Sequence, residues 1–334
     1  MHFKNIGIKC SVVLTVYKRD EFLEQALYSL ENQSVDKNSF EVLIISNIQL
    51  KFPKIHNMNL RIILSDRESL AGKLAEGILL ARNEIIVFLE DDDLYCQDRI
   101  KHILTVFGDN EDLDYYHNKS VHFRTLTFPR SGLKFCSKKK FRILLKHKDM
   151  ENGDITASVE YKFNKYQADY NLSSIALRKD FIADYVEILL KLGTRYVDSF
   201  FFSLALYKGN SIIIDSNIDT LIRTHSLNAS QSVESVEEKK NNKRYSIDME
   251  KLTVVLINIG IIEKRFVQHF IISRGLDDLM KVGNISRVEV FSKMLKLLKI
   301  YRRYFFKSDV TLKALMYIIS PNVMYKLLGR FHNI

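Results

Sequence analysis

The sequence predicts an α/β fold with a mainly parallel central sheet flanked by helices, followed by a C-terminal helical extension. Three observations predict it. The first hundred residues alternate short β-branched runs with amphipathic helical stretches. The strand runs are apolar throughout, the pattern of strands buried on both faces. Beyond about residue 247 the chain reads mostly as helix.

The elements follow in order. "CSVVLTVY" (Cys10–Tyr17) is the first strand. "DEFLEQALYSLENQ" sets Leu23, Leu27 and Leu30 at helical spacing, with Asp20 placed to cap. "EVLIISN" (Glu41–Asn47) and "LRIIL" (Leu60–Leu64) are the second and third strands. "SLAGKLAEGILLARN" puts Leu70, Leu74, Ile78 and Ala81 on one stripe, and "EIIVFLE" (Glu84–Glu90) is the fourth strand. Farther on, "SSIALRKDFI", "YVDSFFFSLALYKG" and "SIIIDSNIDTLIRTHSLNAS" read as strand, helix, strand and loop of the same domain. The polar, charged stretch "SVESVEEKKNNKRYS" (Ser232–Ser246) reads as an exposed linker. The expected organisation is therefore a domain over 1–231, a linker over 232–246 and a basic helical region over 247–334.

Ligands of parallel sheets gather outside the carboxyl ends of the strands. Tyr17, Asn47 and the acids Glu90, Asp91, Asp92 and Asp93 all lie just past such ends and are expected to converge on one crevice. Adjacent carboxylates suit a hard divalent cation, Mn²⁺ or Mg²⁺, which takes oxygen ligands and often only one or two carboxylates beside substrate phosphates. The plain alternative is a solvated acidic turn ahead of a helix that starts at Asp98 and Arg99. An acidic run that ends a buried strand at the crevice favours the cation.

Composition bounds the rest. Of 334 residues, 46% are apolar, enough for a substantial core. Cys10, Cys96 and Cys136 lie far apart and read as buried small residues in a reducing compartment, without a disulfide framework. The N-terminus does not read as a signal peptide, and no apolar stretch is long enough to span a membrane. The expected location is cytoplasmic. The net charge of +10 is uneven: Ser286 to Ile334 holds ten Lys/Arg against two acids. A second basic cluster, "LKFCSKKKFRILLKHK", spans Leu133–Lys148. Such asymmetry points to an anionic partner.

The succession "CSVVLTVYKRDEFLEQALYSLENQ", "EVLIISN" and "GKLAEGILLARNEIIVFLEDDDLYCQDRI" resembles the inverting family 2 glycosyltransferases with the GT-A fold, over about residues 8 to 230. The resemblance implies sugar transfer from a UDP- or GDP-linked donor to a hydroxyl acceptor, a glycan or polyprenyl-linked glycan. It sets Thr15 and Tyr17 at the nucleotide. Ser46 and Asn47 stand where the family carries an aspartate pair that contacts the base, leaving uracil or guanine open. Leu74 and Ala75 stand where an Arg-Asn pair is usual, with Lys73 as the substitute positive charge and Gly77 as the family's small residue. The acid motif falls on Glu90, Asp91 and Asp92, with Asp92 and Glu90 as metal ligands and Asp91 on the donor or metal. Asp93 is a weaker candidate.

An inverting transfer needs a carboxylate to take the acceptor's proton. The resemblance places this base at Asp198 in "TRYVDSFFFSLAL"; the alternative is a helix N-cap. "LIRTHSLNAS" resembles a late loop near the diphosphate, so Arg223 is expected on phosphate and His225 on phosphate or metal. Arg178 and Lys179 are expected to be solvated or to face phosphate, without an assigned role.

In "VFSKMLKLLKIYRRYFFK", Phe291, Met294, Leu295, Leu298 and Phe305 fall near one face, opposite Lys296, Lys299, Arg303 and Lys307. That pattern suits a helix lying peripherally on a membrane surface with anionic lipids; packing on the catalytic domain is the alternative. Three other readings compete. A sugar-phosphate nucleotidyltransferase would carry a glycine-rich loop after the first strand, but "TVYKRDEF" has no glycine. A nucleic-acid-binding protein could use Tyr301, Tyr304 and Phe305, yet no recognised module is present and no specific nucleic acid is expected. A degenerate, non-catalytic relative is suggested by Ser46, Leu74 and Ala75 and opposed by Asp92 and Asp198.

Overall fold

The structure, a computed structural model, describes residues 9–17, 20–50, 58–124, 136, 142–146, 168–224, 248, 251–260, 272–273, 275–276, 279–280, 285–300 and 309–321. The expected linker (232–246) and His225 lie outside these residues, as do Lys18, Arg19, Tyr301, Arg303, Tyr304, Phe305 and Lys307. The chain divides into two compact units, Met1–Lys148 with Phe163–His225, and Asp149–Lys162 with Ser226–Ile334.

The first unit is a mixed α/β domain with a central sheet. Its strands are β1 (Cys10–Val16), β2 (Phe40–Ser46), β3 (Leu60–Leu64), β4 (Ile85–Glu90), β5 (Leu94–Tyr95), β6 (Leu113–Phe123), β7 (Arg142–Lys146), β8 (Ile175–Arg178) and β9 (Ser211–Arg223). Among the described residues they form one nine-stranded sheet ordered β3-β2-β1-β4-β8-β6-β9-β5, with β7 also paired to β9. The first four pair in parallel, as their unbroken apolar runs require. Beyond β4 the sheet turns mixed. β8 is antiparallel to both β4 and β6, while β6 and β9 run parallel with register shifts near Asn118 and Lys119.

The helices are α1 (Leu23–Glu31), α2 (Leu70–Leu80), α3 (Arg99–Asp109), α4 (Lys179–Ala183), α5 (Val186–Lys191) and α6 (Val197–Lys208). α1 starts without a side-chain cap, so Asp20 contributes only its carbonyl, to Leu23 N. α2 is capped by Ser69, whose hydroxyl accepts from Gly72 N at 3.0 Å. Its Gly77 lets it lie close on the sheet: a Cβ there would stand 2.4 Å from Val13 Cγ1. The main core packs α1 and α3 residues such as Leu27, Leu30, Ile103 and Phe107 against β1, β2 and β4.

Two expectations are corrected here. Cys96 and Cys136 form a disulfide, with Cα atoms 6.0 Å apart, although 40 residues separate them. The sheet explains the pairing: β9 takes β5 as one antiparallel neighbour and β7 as another, so the chain just after β5 meets the chain just before β7. Only Cys10 behaves as a buried free thiol, pushed up to about 12 by burial. Arg178 and Lys179 are structural: Arg178 Nε donates to Leu113 O at 3.1 Å and Lys179 Nζ to Ala81 O at 2.6 Å.

The second unit contains α7 (Arg287–Ile300) and α8 (Asp309–Ile319). Val290, Met294 and Leu297 of α7 pack with Val310, Ala314 and Tyr317 of α8. The single apolar face expected for α7 is thereby divided. Met294 is inside, while Phe291 and Leu295 are half exposed beside the exposed Lys296 and Lys299. The spacing i, i+4, i+7 from Val290 places the packed stripe about a quarter of a turn away from Phe291. No helix among the described residues is long and apolar enough to cross a membrane.

Candidate active site

The parallel register brings the expected residues together at one end of the sheet. Val16 lies opposite Ser46, and Thr15 opposite Glu90. The carboxyl ends of β1, β2 and β4 therefore meet, with Tyr17, Asn47 and the acid run just beyond. Thr15 is buried within β1, Tyr17 is 49% exposed and Asn47 is half-buried. Ser46 is turned inward: its hydroxyl donates to Ile48 O at 2.8 Å and accepts from Ile48 N at 3.2 Å. That local turn consumes the Ser46 side chain.

Lys73 comes from α2. It is 1% exposed, donates from Nζ to Val16 O at 2.6 Å and stands 4.6 Å above the Tyr17 ring. Burial lowers its ammonium to about 8, against the opposing pull of Asp91 and Glu68. Leu74 and Ala75 are fully buried in the core. Of these three consecutive residues, Lys73 alone carries charge to the strand ends.

The acid run is enclosed: Asp91, Asp92 and Asp93 are 9%, 7% and 1% exposed. Glu90 is held well above the ordinary carboxylate range by burial and by the charges of Asp93, Asp92, Asp198 and Asp91. Asp93 is lifted to about 7 by burial and by Asp92. Asp93 is also held by hydrogen bonds, accepting from Arg223 N at 3.0 Å and from Asn171 Nδ2 at 3.0 Å. Such a concentration of desolvated negative charge favours a cation or proton close by.

Arg223, at the end of β9, packs behind the acids. Its Nε donates to the backbone carbonyl of Asp92 at 3.0 Å and its Nη2 to Gln25 Oε1 at 2.8 Å. The guanidinium is sandwiched between Phe22 and Phe123, 4.5 and 4.6 Å from the ring centroids. The side chain is fully buried. The residue expected on phosphate thus also braces the acid loop.

Asp198 lies in the first turn of α6, whose N-cap is Tyr196, so it is not the capping residue. One carboxylate oxygen accepts from Ser199 N at 2.9 Å, and the other reaches out to Asn171 N at 3.1 Å. Its charge is among those felt by Glu90. Asn171 and Ser173, which brace the site, carried no signal in the sequence. Ser173 Oγ accepts from Glu90 N at 3.0 Å, and Asn171 touches both Asp93 and Asp198. Both belong to a single short turn before β8, with a 3-10 helix over Leu172–Ser174.

Among the described residues, no three His, Cys, Asp or Glu side chains converge as a ready-made metal cage. The donor set still fits a cation that takes one or two carboxylates and completes its shell with phosphate and water. Asp91 and Asp92 are all-oxygen donors on the acid run, and Asp93 is held by its hydrogen bonds.

The domain, a mixed α/β sheet with an acid run at the carboxyl end of β4, is GT-A-like in fold. Residues 11–159 match the model of the family "Glycosyl transferase family 2". The chain is 23% identical over 259 residues to "Putative glycosyltransferase EpsH" of Bacillus subtilis (strain 168), covering 65% of this chain and 74% of EpsH. Among solved structures, S. aureus TarS superposes with a TM-score of 0.57 at 14% identity, over 95% of this chain and 53% of TarS. The chain thus spans about half the length of that neighbour. TarS 1–349 in complex with UDP superposes with a TM-score of 0.54 at 14% identity, over 93% of this chain and 91% of that one. A second TarS 1–349 structure, in complex with UDP-GlcNAc, gives 0.51 at 14% identity, over 88% and 90%. At these identities the structures establish the fold, and the family match together with the likeness to EpsH supports a glycosyltransferase.

Proposed function

We propose that this glycosyltransferase transfers a sugar from a nucleoside-diphosphate donor to a hydroxyl acceptor with inversion, using Asp198 as base. The observation that carries the reading is a carboxylate, Asp198, joined to the acid run through a single residue: Asn171 donates from its main-chain N–H to Asp198 and from its side chain to Asp93. The donor nucleotide would lie over the strand ends, its base against Tyr17 and Asn47 and its phosphates toward Lys73. Thr15, buried in β1 opposite Glu90, would shape the floor under it. That TarS is solved with UDP and with UDP-GlcNAc makes a uridine donor the first to try. Asp91 and Asp92, with Glu90 beside them, would hold a divalent cation that supplies positive charge to the leaving diphosphate.

The chain's own residues then divide the work. Asp198 accepts the proton of the acceptor hydroxyl as its oxygen forms the new bond to the anomeric carbon. The bond from that carbon to the diphosphate oxygen breaks on the opposite face, and the electron pair leaves with the nucleoside diphosphate. Lys73 offers an ammonium to the departing phosphate, and Arg223 keeps the acid loop from springing outward under its own repulsion.

The partner surface of the second unit is part of the same reading. Exposed Val288, Phe291 and Leu295 on α7, beside Lys296 and Lys299, suit a cytoplasmic membrane face and so a polyprenyl-linked glycan acceptor. Cosedimentation with phosphatidylglycerol vesicles that is lost in Phe291→Glu/Leu295→Glu tests this part; equal sedimentation of wild type and variant refutes it. The transfer reading itself is tested by donor hydrolysis across UDP- and GDP-sugars. The account expects Asp198→Asn to lower turnover by ~10²–10⁴-fold with donor affinity retained. Full turnover in that variant removes Asp198 as base.

A further inference from the structure

We propose that Asn171 is a positioning residue that holds the Asp198 carboxylate and the Asp91–Asp93 loop in fixed register, an inference that rests on the reading of Asp198 as base. Its two halves reach in two directions. The main-chain N–H donates to Asp198 Oδ2 at 3.1 Å, and the side-chain Nδ2 donates to Asp93 Oδ2 at 3.0 Å. Ser174 Oγ donates to Asn171 Oδ1 at 3.2 Å, which fixes the amide with its NH₂ end toward Asp93. The other oxygen of Asp93 accepts from Arg223 N, so the amide holds a carboxylate that is itself anchored to β9.

The backbone at this point is unusual. Asn171 has φ 68° and ψ 109°, and among the described residues it is the one non-glycine at positive φ. Asparagine is among the few side chains that tolerate this region, and such a conformation persists where its surroundings hold it. Here both ends are held, and the residue is 6% exposed, so water does not stand in for either partner.

The geometry favours a catalytic consequence over a purely architectural one. A carboxylate in the first turn of a helix ordinarily serves that helix's own N–H groups. One oxygen of Asp198 does so, at Ser199 N, while residue 171 takes the other. Inversion requires base and leaving group on opposite sides of one carbon, so the spacing of Asp198 from the acid loop sets whether attack is in line. A small misplacement there costs rate before it costs affinity. One residue that touches both groups fixes that spacing directly.

The test is a double-mutant cycle on donor hydrolysis by the full chain, with UDP-GlcNAc and in parallel GDP-mannose as probes, each with Mn²⁺. Asn171→Gly keeps the N–H and relieves the backbone but removes the amide. Its kcat is expected to fall about tenfold with KM within about twofold. In the Asp198→Asn background the same change is expected to cost less than about twofold, because the group it positions is already disabled. Asn171→Asp keeps the shape, turns an acid toward Asp93 and is expected to lose at least as much kcat. Multiplicative losses, or equal falls in kcat and donor affinity, overturn the positioning role, as does wild-type kcat in Asn171→Asp. Full activity in Asp198→Asn alone overturns the base assignment and this inference with it. A wild type inert toward both donors overturns the transfer reading as a whole.

Discussion

Replacing Arg223 by lysine separates the clamp from a phosphate ligand, because losing the fork costs stability in the first role and nucleotide affinity in the second. Among the described residues the guanidinium donates to Asp92 O and to Gln25 Oε1 and lies against two phenyl rings. A lysine ammonium in the same cage reaches at most one of those acceptors. Losing one charge-assisted bond in a buried site costs ~1.5–3 kcal/mol. Each ring contact contributes ~0.5–2 kcal/mol, of which a point charge off the ring axes keeps only part. The net is roughly 3 kcal/mol, or a fall in Tm of about 6–12 °C for a unit of this size. Calorimetric unfolding of the full chain gives the stability, and UDP titration gives the affinity. A loss of nucleotide affinity with unchanged Tm would refute the reasoning and put the guanidinium on the diphosphate.

Three further outcomes follow from the same geometry. Gly77→Ala drives a methyl into Val13 on β1, where 2.4 Å is available, and is expected to destabilise the domain by ~1–3 kcal/mol in denaturant unfolding. Lys73 is charged below about 8 and neutral above, against 10.5 ordinarily, so UDP affinity should fall as pH rises through 8 and Lys73→Met should flatten that profile. The unfolded chain holds that proton longer, so without nucleotide this group's contribution to stability should rise between pH 8 and 10.5. Non-reducing peptide mapping should find Cys96 joined to Cys136, and reduction should cost about 4 kcal/mol for a loop of this length by the chain-entropy account.

The half of the sheet that carries the nucleotide-side residues was legible because its signals are local. β-Branched runs, helical stripes and the acid run each lie within one short window, and parallel pairing makes their ends coincide. The braces were not legible because each joins distant segments. Asn171 meets Asp93 across 78 positions, and Arg223 meets Asp92 across 131. Nothing in "YNLSSIAL" marks its asparagine as a bridge. The resemblance sets Arg223 on phosphate, whereas its contacts with Phe22 and Phe123 arise only through the folded sheet. The cysteines were misread for a related reason. Their spacing of 40 residues carries no pattern, and only the pairing of β9 with both β5 and β7 brings them together. On α7, periodicity located the apolar residues but could not say which stripe α8 would take.

The most direct test of the central claim is donor binding to wild type and Asp92→Ala, across UDP- and GDP-sugars, with Mn²⁺, Mg²⁺ or EDTA. The account predicts that one donor binds, that EDTA weakens it, and that the variant loses the cation's contribution while keeping its fold. Binding that is indifferent to both EDTA and Asp92→Ala would contradict the role given to the acid run, and no binding by wild type to any donor would contradict the nucleotide-sugar reading.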